Sequence, residues 1–231
     1  MSFHLVTERR GRQPIALARL GLDRPRLARV DGLEFVRLLG TGRGTDTGPS
    51  IDPARTAMFA LWRGERDLER FLASHAIARR WERAGEAWHV RLLAVRAHGR
   101  WGDLTADALP AAGAAIADAG GPVVVLTRAS IRPGATREFV RSSRSFGAAA
   151  GSAPGCRAVV GVGERPVGRL GTVSVWDSST AAGAFAHEHP DHVAAMGAAR
   201  ARRWFREELF ATFAPTGSSG TWSGHDPLAL P

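Results

Sequence analysis

The chain has 231 residues, 44% of them apolar and 23% charged, proportions that build a globular core and exclude a disordered, collagenous or coiled-coil chain. No stretch reaches the roughly 18 apolar residues of a membrane span, and residues 1–12 lack the apolar block of a secretory signal. A single cysteine, Cys156, excludes an internal disulfide, a CxxC redox pair and a cysteine zinc cluster, so a cytoplasmic setting is expected. The net charge of +9 comes from 31 basic residues, every one an arginine. It reads as a compositional imprint rather than as a clustered binding face with stacking aromatics, and no nucleic-acid partner is expected.

A strand from Phe3 opens the chain and a helix from Ile15 follows it. Strands are predicted at 33–39 and 56–62, a helix from Glu65, and a strand at 88–95. Residues 98–121, rich in Ala, Gly and Asp, read as a linker with room for a short helix at 111–119. The order then repeats: a β-rich run at 122–131, a helix at 137–150, and strands at 157–162 and 171–176 joined through Gly163-Glu-Arg-Pro166. Ser178 or Ser179 caps the next helix. A last strand spans 208–215, with Leu209, Ala211 and Phe213 on one face.

Landmarks recur at a slowly drifting offset. Trp62 and Trp176, and Phe71 and Phe185, are 114 positions apart; Trp88 and Trp204 are 116 apart; Gly99-Arg-Trp101 and Gly220-Thr-Trp222 are 121 apart. Each half therefore reads as βαββαβ, the ferredoxin-like unit. Such a sheet carries helices on one face and needs its other face covered. The expected fold is α+β, tandem ferredoxin-like units forming a fused pseudo-dimeric α/β barrel. The halves are 1–97 and 122–231, and the second carries the proposed ligand helix and a C-terminal tail. Exposed sheet edges leave homodimerisation open.

The Gly40-Thr-Gly42-Arg-Gly44 stretch has GxGxG spacing and precedes a strand, so it reads as a hairpin connection and cavity rim, not a phosphate loop. His187-Glu188-His189-Pro190-Asp191-His192 is the densest cluster of chemistry in the chain, and it is not HExxH. Pro190 suits the first position of a new helix. His192 then shares a face with Ala195, Met196 and Ala199, three, four and seven residues on. Small side chains beside a histidine leave room for a flat ring, the arrangement of a haem axial ligand. A three-histidine metal site (His187, His189, His192) and a solvated helix junction without ligand are the competing readings. His75 occupies the matching region of the first half, where it is read as a surface residue. Cys156 is read as a small packed residue, with a thiolate haem ligand as the alternative. Arg203 and its neighbours Arg200, Arg202 and Arg206 could meet haem propionates or form a solvated helix face. Trp204, twelve residues beyond His192, is read as a packing anchor more than three turns along the same helix.

With these residues in view, the chain resembles the spheroidene monooxygenase family of haem-containing carotenoid oxygenases. The resemblance rests on Leu38-Leu-Gly-Thr-Gly42-Arg-Gly44, Ala57-Met-Phe-Ala-Leu-Trp62, Gly99-Arg-Trp101, Leu126-Thr-Arg-Ala-Ser-Ile-Arg-Pro133 and Val160-Gly-Val-Gly-Glu-Arg-Pro166. It continues through Trp204-Phe-Arg-Glu-Glu-Leu-Phe210 and Gly220-Thr-Trp-Ser-Gly-His-Asp-Pro-Leu228. It implies a haem b with iron held by His192, and a dimeric α/β-barrel fold. It also implies use of O₂ and an electron donor to hydroxylate an isoprenoid or other small substrate. The Arg- and His-rich approach to the ligand helix departs from the family pattern and leaves the carotenoid substrate open. A dehydratase or N–O bond chemistry on the same fold, and a cofactor-free binding barrel, are the alternatives. Glu188 or Asp191 would orient the second ring nitrogen of the ligand, and residues 40–49 would lie near the pocket mouth.

Overall fold

A computed structural model describes residues 1–43, 50–109, 111–165 and 168–229; within these, the side chains of 140, 142–148, 191, 192 and 195 lie outside the description. The chain divides into two compact units, one made of Met1–Thr41, Asp52–Leu92 and Thr216–Pro231, the other of Gly42–Ile51 and Leu93–Pro215. No helix among the described residues is long and apolar enough to cross a membrane.

In unit 1 the chain runs β1 (Ser2–Thr7), α1 (Gln13–Leu22), α2 (Arg24–Leu27), β2 (Leu33–Thr41), β3 (Asp52–Trp62), α3 (Glu65–Ser74), α4 (Ala76–Trp81) and β4 (Glu86–Trp101). β1 pairs antiparallel with both β3 and β4, and β2 pairs with β3, giving the order β4-β1-β3-β2. As a central strand β1 is buried on both faces, which explains why its sequence does not alternate cleanly. α3 buries Leu68 and Phe71, three apart, against Met58, Ala60 and Trp62 of β3.

Beyond β4 come β5 (Leu104–Thr105), α5 (Ala114–Asp118), β6 (Val123–Ile131), α6 (Thr136–Ser152), β7 (Cys156–Gly163), β8 (Arg169–Trp176), α7 (Ser179–Glu188), α8 (Pro190–Ala201) and β9 (Phe205–Gly220). β6 pairs antiparallel with β8 and β9, and β7 pairs with β8, so unit 2 repeats the order as β9-β6-β8-β7. Both units are ferredoxin-like, and the fold is α+β. The duplication extends to packing. Trp62 and Phe71 lie 5.1 Å apart between ring centroids, and their counterparts Trp176 and Phe185 lie 5.3 Å apart.

The structure redraws the division expected at 97 and 121. β4 and β9 each run 16 residues. Residues 93–101 of β4 belong to unit 2, and residues 216–220 of β9 belong to unit 1. The stretch 98–121 is thus the end of β4, then β5 and α5, the last within the short helix expected at 111–119. The glycines of the two closing motifs explain this extension. Gly99 and Gly220 have φ of +89° and +79°, and a Cβ there would sit 2.1 Å from the Glu208 carbonyl oxygen and 2.0 Å from that of Ala87. Only glycine allows both the left-handed turn and the close backbone approach.

Candidate functional site

Unit 2 holds a cavity between its sheet and helices α6, α7 and α8. Its volume is about 160 Å³, and it opens to solvent. α7 presents Ala182, Phe185 and Ala186; α8 presents Met196 and Ala199; Phe139, Trp204, Phe205 and Phe210 complete an apolar wall. The polar lining comes from the sheet, as Thr127 and Arg128 of β6 and Thr172 and Ser174 of β8.

Local sequence sets this wall. Ser178 Oγ accepts the Ala181 N–H at 3.1 Å and caps α7, as its position before the helix predicts. α7 ends at Glu188, and His189 bridges to α8 in an extended conformation, with Pro190 as the first residue of α8. At the far end Arg203 takes a left-handed φ of +50°. The Trp204 N–H then reaches the Ala199 carbonyl at 3.0 Å and the Arg203 N–H reaches that of Arg200 at 3.2 Å. This is a Schellman cap with arginine where glycine is usual.

Trp204 is thereby corrected from its expected place. It does not continue α8; the cap folds it back beside Ala199, buried, as part of the cavity wall. Its indole Nε1 donates to Glu138 Oε2 at 3.1 Å, and Phe139 meets its ring edge-on.

On the sheet side Arg128 is 5% exposed and anchors an ion network. Its Nε and Nη2 donate to Glu164 Oε1 at 3.1 and 2.8 Å, and Nη1 donates to Glu207 Oε1. Trp101 Nε1 also donates to Glu164 Oε1, at 2.9 Å, and its ring lies 5.6 Å from the guanidinium. Burial alone would raise the Glu164 carboxyl, but hydrogen bonds and charge from Arg128, the Trp101 indole and Arg169 outweigh it and hold it below the ordinary value. Next to Arg128 in β6, Thr127 shares a 2.6 Å hydroxyl–hydroxyl hydrogen bond with Thr172 across the strands. Sequence reasoning missed this network. Its four members are read singly in the chain, although each lies in a segment that carries the family resemblance.

Of the expected site residues, Met196 and Ala199 line the cavity. The side chains of His192 and Ala195 lie outside the described residues; residue 192 falls in α8, one turn before Met196. Arg203 is exposed and does not line the cavity, and its backbone ends the helix. Glu188 is exposed, and the side chain of Asp191 is outside the description. His187 is exposed; His189 packs on Phe185 at 5.2 Å. Among the described residues no group of three or more His, Cys, Asp and Glu side chains is placed to hold a metal.

His189 is the counterpart of His75, 114 positions earlier. His75 stacks on Phe71 and its Nδ1 accepts the Ile77 N–H at 3.3 Å, capping α4. It is therefore a helix cap rather than a free surface residue. His189 occupies the same cap position, but its buried Nδ1 has no hydrogen-bond partner among the described residues. Cys156 packs beside Val123 and Trp176, and burial pushes its thiol up to about 11, so it stays protonated near neutrality. Gly42 N–H donates to the Gly161 carbonyl at 2.9 Å, tying the glycine-rich stretch to β7; residues 44–49 of the expected rim lie outside the described residues.

Unit 1 carries a second buried cluster. His4 and His89, read from the sequence as isolated, meet at 2.9 Å between their Nδ1 atoms. His4 Nε2 contacts Ser2 Oγ at 2.8 Å, which also accepts from Trp62 Nε1 at 2.9 Å, and both imidazoles stack on Trp81.

No protein-family model matches the chain. Among solved structures, an aldoxime dehydratase in complex with butyraldoxime aligns with a TM-score of 0.59 at 13% identity over 93% of this chain and 78% of that one. A second aldoxime dehydratase aligns at 0.57, with 12% identity over 93% and 80%. At these identities the likeness is one of fold alone. A spheroidene monooxygenase of Rubrivivax gelatinosus is 33% identical over 194 residues, 84% of this chain and 73% of that protein. One of Rhodobacter capsulatus is 32% identical over 217 residues, 94% of this chain and 89% of that protein. With a third of its residues shared along nearly its whole length, the chain belongs to the spheroidene monooxygenase family.

Proposed function

We propose that the chain is a haem-dependent monooxygenase that hydroxylates an apolar biosynthetic substrate in the unit 2 cavity, with His192 as the axial ligand. One observation carries the reading: a largely apolar cavity opens against the helix that bears residue 192, in a chain of a monooxygenase family.

The lining is compatible with a flat macrocycle. Ala182, Ala186 and Ala199 offer no bulk beyond Cβ on the helical side. Residue 192 lies one and two turns before Met196 and Ala199, which both face the cavity. The cavity itself, about 160 Å³, is smaller than the roughly 300–1,000 Å³ of small-molecule sites, so a macrocycle would have to extend out through its open mouth. When bound, the haem would supply O₂ activation, with reducing equivalents from an electron donor.

The chain's own residues would do the rest. Trp204, Phe205 and Phe210 exclude water from the cavity. Arg128, neutralised by Glu164 and Glu207, gives the sheet wall a fixed polar edge without a free charge. Thr127 and Thr172 offer hydroxyl oxygens to a polar atom of a bound molecule. A dehydratase on the same fold has only the shared architecture of the aldoxime dehydratases behind it.

Absorption spectra of the purified protein, oxidised and dithionite-reduced, test the proposal. A Soret band that shifts on reduction, and haem content that falls in His192→Ala, are expected. Colourless, iron-free protein that still binds apolar ligands would reduce the chain to a binder. Full haem loading in His192→Ala would remove the ligand assignment, and turnover without O₂ or reductant would move the reaction to the dehydratase class.

A further inference from the structure

α1 is apolar on two opposite sides. Ala16 is buried, and Leu17 and Leu20 are half-buried, on the side that packs into unit 1. The other side presents Ile15, Ala18 and Leu22, whose spacing of three and four residues sets them in one stripe. Ile15 is 47% and Leu22 63% exposed, the highest exposures among the large apolar side chains described. A surface helix normally turns its polar side outward, so a helix apolar on two opposite sides implies a second cover.

Cations bracket the stripe. Arg9, Arg10 and Arg12 precede α1, and Arg24, Arg26 and Arg29 follow it, all exposed. The acidic groups nearby are already engaged: Glu8 with Arg19, Asp23 with Arg80 and Arg26, Asp31 with Arg63 and Arg70. Arg10, Arg12, Arg24 and Arg29 have no ion pair among the described residues. Their placement matters here rather than their number, since arginine is abundant throughout the chain.

We infer that this face of unit 1 docks on an anionic lipid surface. Ile15, Ala18 and Leu22 enter the interface, and the bracketing arginines lay their stems along it and reach the headgroups. A second copy of the chain fits less well, because a two-fold contact would set these arginines against themselves. A helix crest is also convex, suited to a deformable plane rather than to a partner helix. The inference is independent of the haem proposal, although a membrane face would serve an enzyme of apolar substrates.

Sedimentation of the full chain with vesicles tests it, using phosphatidylcholine alone and phosphatidylcholine with phosphatidylglycerol. The protein is expected to bind the anionic vesicles at low salt and to leave them at high salt. Arg10→Gln/Arg12→Gln/Arg24→Gln should weaken binding by about a hundredfold, and Ile15→Ser/Leu22→Ser should also release the protein, both with unchanged melting temperature. Equal binding to neutral vesicles, no binding to either, or self-association of the wild type that the same serine substitutions abolish would overturn it. None of these readouts needs haem or turnover, so failure here and failure of the monooxygenase proposal are separate results.

Discussion

Replacing His89 with glutamine is expected to flatten the acid limb of the stability curve. In the native chain the His4 and His89 Nδ1 atoms share a hydrogen bond at 2.9 Å, in which one ring donates and the other accepts. Protonating the acceptor destroys it. Burial, followed by the repulsion of His89 and of the N-terminal ammonium, holds His4 well below the ordinary imidazole value. Burial lowers His89 to about 4. Unfolded, each ring titrates near pH 6.5. As the pH falls below 6.5 the unfolded chain takes up a proton that the native state refuses until about pH 4. The contribution is therefore complete above 6.5 and lost on the way down through 4. His89 alone then costs about 2 kcal/mol by pH 5 and about 3 kcal/mol by pH 4. Urea titrations followed by tryptophan fluorescence have a local reporter, since Trp81 stacks on both rings. Subtracting the His89→Gln curve from the wild type cancels the carboxylates common to both. The variant should lose about 2 kcal/mol less than the wild type between neutrality and pH 5. Parallel curves would show that the pair carries no depressed site and would refute the argument.

Arg128→Met leaves Glu164 and Glu207 without their buried cation and is expected to cost about 3–5 kcal/mol in chemical denaturation, partly recovered by adding Glu164→Gln. Arg203→Gly should relieve the left-handed strain at the α8 cap, adding about 1 kcal/mol and raising the melting temperature by about 2–4 °C for a chain of this size. If the chain binds haem as proposed, its content should not change with this substitution; a loss of haem in Arg203→Gly would instead return Arg203 to the ligand.

The duplicated order of elements was legible because local signals carried it. Trp62 and Trp176 close equivalent strands, and Phe71 and Phe185 follow at the same interval on equivalent helices. Ser178 and Pro190 marked the starts of α7 and α8 through backbone chemistry that depends on near neighbours only. What escaped the sequence depends on separation or on an atypical residue. His4 and His89 are 85 positions apart, and Trp101 and Arg128 reach Glu164 across 63 and 36 positions; no periodicity links such partners. The end of α8 was hidden for another reason. Arginine stands at its left-handed cap, so the usual glycine stop signal is missing and the helix reads on through Trp204.

That cap also bears on how the cavity wall is specified. The left-handed turn at Arg203 is what brings Trp204 beside Ala199, and Trp204 is in turn held by Glu138 of α6. Arg202 pairs with that same carboxylate, so one acidic group ties the end of α8 to α6 through both an indole and a guanidinium. After β7, Glu164 plays the same part, collecting Arg128, Trp101 and Arg169. Each of these carboxylates thus holds one tryptophan and at least one arginine, and both tryptophans lie in segments that carry the family resemblance. An apolar cavity cannot orient its own walls, because burial is indifferent to direction. Directional hydrogen bonds supply the orientation, which accounts for buried polar residues among the segments that carry the family resemblance.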